Sequence, residues 1–131
     1  MKLLLIDDDH LVRHMVAKML RNQGHEVATA ADGARAMAIV GGERSEVVIT
    51  DIIMPEQEGF ETIIRPRRDY PHIKIVAISG GFRGGNLEVL SMAHHLGADD
   101  VLAIPFEEDD LRQALDRVTA GPPISVLMHA E

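Results

Sequence analysis

Carboxylates and one hydroxyl stand where the apolar runs of this sequence end, and they are the groups most able to do chemistry. Leu3-Leu4-Leu5-Ile6 runs into Asp7, Asp8 and Asp9, Val47-Val48-Ile49-Thr50 into Asp51, and Ile73 to Ile78 into Ser79. In parallel sheets, reactive groups gather at the carboxyl ends of strands, in the crevice where the winding direction reverses. If the first and third strands are neighbours, Asp7, Asp8 and Asp51 converge. Carboxylates that close titrate upward or are neutralised by a cation. An acidic, all-oxygen donor set suits a hard divalent ion, Mg2+ or Mn2+. With such an ion beside it, Asp51 can act as a nucleophile toward a phosphoryl group, and the Ser79 hydroxyl can hold an equatorial oxygen. The plainer readings are a turn residue ahead of Pro55 for Asp51 and a helix cap for the aspartate triplet. A cap needs only one carboxylate, and the agreement of three strand ends favours the site.

The elements that must position these groups follow from periodicity. The first strand is Leu3 to Ile6, followed by a helix with Leu11, Val12, Met15, Val16, Met19 and Leu20 on one face. His10, His14, Lys18 and Arg21 take its other face, and Gly24 caps its end. Glu26 to Ala30 reads as an edge strand, and Asp32-Gly33 opens a small-residue helix ended by Gly41-Gly42. The third strand carries Asp51. A helix starting near Phe60 contains Pro66, which costs about 3 kcal/mol inside a helix and predicts a kink or an early stop. Ile73 to Ile78 is the fourth strand, Gly80 to Gly85 a mobile loop, and Asn86 a cap for a helix ending at Gly97. Val101 to Ile104 is the fifth strand, and Leu111, Ala114, Leu115 and Val118 mark the last helix. Five strand–helix alternations give a doubly wound parallel sheet with helices on both faces. Residues 1–120 form that domain, and 121–131 a C-terminal tail.

Composition agrees. A chain of 131 residues with 46% hydrophobic and 3% aromatic residues builds one core from aliphatic side chains. The absence of cysteine excludes disulfides, thiolate metal sites and a cysteine nucleophile. A net charge of −8 argues against nucleic acid, and no transmembrane run or signal peptide is visible, so a cytoplasmic protein is expected. Arg65, Arg67 and Arg68, the nearest thing to a basic cluster, read as a solvated helix end.

Asp7-Asp8, the Asp51-Ile52-Ile53-Met54-Pro55 stretch with Gly59, Ser79, and Pro105-Phe106 together resemble the receiver domain of two-component response regulators, over about Lys2 to Ala120. The resemblance implies a flavodoxin-like sheet of order 2-1-3-4-5. It also implies Mg2+ held by Asp7, Asp8, Asp51 and the Ile53 backbone carbonyl, with Asp51 as phosphoacceptor and Ser79 as switch hydroxyl. Its implied partners are a sensor histidine kinase or phosphotransfer protein, and a downstream protein bound by the face of helix four, strand five and helix five. The chain would then be a switch rather than an enzyme, either stand-alone or one module of a longer protein.

Two positions depart from the family. Ile104 stands where receivers carry Lys, which removes one cation from the site, and Val101 replaces the aromatic switch residue. The Ile104-Pro105 bond corresponds to a family cis peptide. Either the domain still accepts phosphate but relays it poorly, since Mg2+ and Ser79 remain, or it is a degenerate receiver that binds partners without phosphorylation; Arg83 in the glycine-rich loop is a candidate to reach the phosphoryl group in place of the lysine. A small metal-dependent phosphohydrolase is a third reading. Ile53 weighs against it by occupying the second position of the usual Asp-x-Asp pair. His10 and His14 have zinc spacing but no third ligand, and His94-His95 read as helix surface. The Gly80–Gly85 stretch lacks the Gly-Lys-Ser/Thr of a phosphate-binding loop, and the methionines are core filler.

Overall fold

The computed structural model describes residues 1–42, 45–52, 58–79 and 87–120, and in them strand and helix alternate from end to end. The strands are β1 (Lys2–Ile6), β2 (Glu26–Ala30), β3 (Val47–Asp51), β4 (Lys74–Ser79) and β5 (Asp100–Ala103). The helices are α1 (His10–Asn22), α2 (Gly33–Gly42), α3 (Glu58–Asp69), α4 (Leu87–Leu96) and α5 (Glu108–Thr119). All neighbouring strands pair in parallel, in the order β2-β1-β3-β4-β5 that the family resemblance implied. β1 is flanked by β2 and β3, so the winding direction reverses between β1 and β3. Asp7 follows β1 and Asp51 ends β3 at that reversal.

Alternation along the strands builds two cores, one on each sheet face. Leu3, Leu5, Val47, Ile49, Val76 and Ile78 pack with Val16, Ala17 and Leu20 of α1 and Leu111, Ala114, Leu115 and Val118 of α5. Leu4, Ile6, Val48, Ile75 and Ala77 pack with Ala36 of α2, Ile63 of α3 and Ala93 of α4. Each fully buried aliphatic side chain contributes roughly 1.5–3 kcal/mol, so the central strands anchor the molecule. Among the described residues, no helix is long and apolar enough to cross a membrane.

Some sequence expectations shift. The buried stripe of α1 is Val16, Ala17 and Leu20 with Val12 and Met19, while Leu11 is 77% and Met15 44% exposed. One residue turns a helix by 100°, so the row through Leu11 and Met15 rolls off the core contact made by Val12, Val16 and Leu20. β4 starts at Lys74 and includes Ser79, and β5 ends at Ala103, one residue before the cis Ile104-Pro105 bond. α3 is not cut short at Pro66. It continues to Asp69, with Tyr70 N donating to Pro66 O at 2.7 Å.

What holds that last turn is Arg67, which is no solvated end. Its guanidinium donates to Gly97 O, Pro71 O, Ile73 O and Asp99 Oδ2 at 2.6–3.1 Å. Asp99 Oδ2 in turn accepts from Ile75 N at 2.8 Å, so one side chain ties α3 to β4 and to the α4–β5 turn. Gly97 sits at φ +122°, and a Cβ there would meet Arg67 Cγ at 2.9 Å, so glycine is required by both backbone and space. At the sheet's β2 edge, Arg21 Nη2 donates to Val27 O at 3.1 Å. The Gly80–Gly85 loop, the Asn86 cap, Arg83 and the 121–131 tail lie outside the described residues.

Candidate functional site

The loop after β1 is fixed by two of its own aspartates. Asp9 is the N-cap of α1, its Oδ1 accepting from Leu11 N at 2.9 Å and Val12 N at 3.2 Å. Asp7 Oδ1 accepts from Asp9 N at 2.9 Å, and Arg13 Nη1 donates to Asp7 O at 2.7 Å. Capping therefore accounts for one acid of the triplet, as one carboxylate should. The other two face a different task.

Asp7, Asp8 and Asp51 each offer a carboxylate oxygen, and these oxygens lie within 4.8 Å of one another. Asp7 is 1% and Asp51 7% exposed, whereas Asp8 opens to solvent. Burial pushes the Asp7 carboxyl up to about 6 from an ordinary 3.8. The Asp9 N–H pulls it the other way, and the Asp8 and Asp9 charges add to the rise. Asp7 Oδ2 is buried without a hydrogen-bond partner. A buried acceptor left so costs about 1–3 kcal/mol or more when charged, and a cation is the natural remedy. The donor set is all oxygen, with one open side at Asp8. It fits a hard divalent ion such as Mg2+.

Ser79 is 3% exposed and ends β4 directly beside the acids, since Asp51 pairs in register with its neighbour Ile78. Its backbone carbonyl accepts from Ile104 N at 2.9 Å, which fixes the following cis-proline turn against it. Ile104 is a half-buried aliphatic residue, and Val101 packs against the α2–α3–α4 core. Ile53, expected to lend its carbonyl to the metal, lies outside the described residues. His10, His14, His94 and His95 are exposed, and none joins the acidic cluster. A cleft of about 700 Å³ at the amino-terminal end of the sheet, lined by Met1, Glu46, Tyr70, Ile73 and Lys74, is remote from these residues.

Sequence reasoning missed one buried polar pair here. Thr50 and Thr62, 0% and 2% exposed, share a 2.6 Å hydrogen bond, and Thr50 Oγ1 donates to Asp51 O at 3.1 Å. Only the hydroxyl at the end of an otherwise apolar run hinted at it.

The family model of the response regulator receiver domain matches residues 3–116. Transcriptional regulatory protein TcrA of Mycobacterium tuberculosis is 31% identical over 94% of this chain and 47% of that protein. Sporulation initiation phosphotransferase F of Bacillus subtilis is 28% identical over 88% of this chain and 91% of that protein. The receiver domain of NtrX from Brucella abortus superposes with a TM-score of 0.84 at 30% identity, covering 92% of this chain and 99% of that one. Against several of its longer curated relatives, the chain spans about half their length.

Proposed function

The chain belongs to the response regulator receiver domains of two-component signal transduction, and on that premise we propose that Asp51 is its phosphoacceptor. The observation that carries the reading is the convergence of Asp7, Asp8 and Asp51 at the β1–β3 reversal, with Asp7 Oδ2 buried and unmatched. These three carboxylates and the Ile53 carbonyl would hold Mg2+, with Mn2+ as a substitute. When bound, the ion offsets the repulsion between the acids and an incoming phosphoryl group. An Asp51 carboxylate oxygen forms the new P–O bond as the P–N bond of a donor phosphohistidine breaks, and the imidazole departs. Near-complete burial of Asp51 keeps water from competing for the phosphoryl group. The Ser79 hydroxyl, at the adjacent strand end, holds a phosphoryl oxygen and carries the change to β5 and its helices.

The donor partner is a sensor histidine kinase or phosphotransfer protein, and the output partner docks on the α4–β5–α5 face. The setting is cytoplasmic, and residues 121–131 are a tail beyond the 1–120 domain. Turnover of a substrate is no part of this function: phosphoryl uptake is stoichiometric.

Ile104 favours a second reading. An aliphatic side chain at the position of the family lysine supplies no ammonium to the phosphoryl group, as a phosphorylation-independent interaction module would tolerate.

The test is direct. Incubation with Mg2+ and a small acyl phosphate is expected to add one phosphoryl mass to the wild type and none to Asp51→Asn. An unmodified wild type that still binds a downstream partner would select the second reading.

A further inference from the structure

We propose that the Thr50–Thr62 hydroxyl pair is a positioning latch that fixes Asp51 for Mg2+ binding and phosphoryl acceptance. The proposal rests on the receiver reading above and deepens it.

Thr50 is the one polar residue before Asp51 in β3, and it faces the apolar α2–α3–α4 core. Its in-register neighbours are Ile6 on β1 and Ala77 on β4, and Val48 is its companion on the same face. Packing alone would be served by valine, which has nearly the same shape and needs no hydrogen bond in a fully buried place. The hydroxyl instead makes two contacts: Asp51 O at 3.1 Å and Thr62 Oγ1 at 2.6 Å. The first acts on the backbone of the acceptor itself. The second ties the end of β3 to α3, twelve positions further along the chain.

α2 approaches Thr62 from the other side. Gly33, the first residue of α2, stands so close that a Cβ there would lie 3.3 Å from Thr62 Cγ2. Thr62 thus sets its hydroxyl on Thr50 and its methyl toward Gly33, beside a cleft of about 180 Å³ that Ile6, Ala36, Met37 and Arg65 also line. A carboxylate that must meet both a cation and an in-line phosphoryl group gains from such fixed geometry.

The experiment compares wild type with Thr50→Val, Thr50→Ser and the double variant Thr50→Val/Thr62→Val. Three readouts are taken: Mg2+ affinity by calorimetry, the first-order rate of phosphoryl-Asp formation at saturating acyl phosphate, and urea stability. Thr50→Val is expected to weaken Mg2+ binding and slow phosphorylation by about three- to tenfold, with half-saturation for the acyl phosphate unchanged. Thr50→Ser, which keeps the hydroxyl, restores both. The double variant recovers part of the stability lost in Thr50→Val, because the buried hydroxyl contact is removed from both sides while Asp51 O still loses the Thr50 donor, and it keeps the weakened Mg2+ binding and slow rate.

A double variant with wild-type Mg2+ affinity and rate overturns the proposal and leaves the pair as packing. So does failure of serine to restore function. If the wild type binds Mg2+ but takes up no phosphoryl group, the phosphoacceptor reading fails, and Mg2+ affinity across the variants still decides the latch. A wild type that does not bind Mg2+ overturns both.

Discussion

Asp7 is asked to do something a buried carboxylate resists. Its raised pKa means that the folded chain holds the Asp7 proton more tightly than the unfolded chain does. Stability from this group is therefore full in acid and lost as pH rises from about 3.8 through about 6. Asp7→Asn removes the effect without removing the shape. In a chelator, the stability advantage of Asp7→Asn over wild type should grow across that window, by up to about 3 kcal/mol for a shift of this size. Urea titrations at several pH values read it out, and an advantage that stays flat with pH would contradict it. Asp7→Asn should at the same time lose Mg2+ binding. The acids were legible in sequence because each interrupts an apolar run with a charge. Thr50 was not, because a β-branched hydroxyl fits a strand equally well, and its partner Thr62 stands twelve positions further along the chain.

At the level of elements, the strands were the most readable parts, since runs such as Leu3–Ile6 and Val47–Ile49 admit little else. Helix faces were less so. Leu11 and Met15 share the apolar character of the α1 stripe but not its direction, so substitution there should matter little. Leu11→Gln is expected to change stability by no more than about 0.5 kcal/mol, whereas Leu20→Ala should cost about 2–5 kcal/mol in urea unfolding. Pro66 and Arg67 mislead together. Read locally, one ends a helix and the other is solvated. In space, Arg67 holds the turn after the proline against the backbone of two other elements. Arg67→Ala should therefore cost about 2–3 kcal/mol, far above an ordinary surface arginine. Gly97→Ala should be comparably damaging, through both its φ of +122° and the 2.9 Å approach to Arg67. Thermal or urea unfolding of the two single variants tests the pair.

For the whole molecule, the two cores place Asp7, Asp8, Asp51 and Ser79 at one end of the sheet. Cation binding there should be felt globally, because the ion meets carboxylates that exist as a cluster only in the folded chain. At a Mg2+ concentration one hundred times the dissociation constant, stability should rise by about 2.7 kcal/mol, and the rise should vanish in Asp7→Asn. Melting curves with and without a chelator measure this, and equal shifts in both proteins would place the ion elsewhere.

The bond from Arg21 to Val27 O bears on how this protein behaves among copies of itself. β2 is an outer strand, and an outer strand with open carbonyls invites a neighbour's strand to join it. Here α1 reaches over that strand and occupies one of those carbonyls with a charged group. A second chain adding itself along β2 would have to displace the guanidinium and accept the positive charge in its place. Growth of the sheet along β2 is thus opposed, and Arg21→Ala is the substitution expected to weaken that protection, visible as slow growth in light scattering on storage.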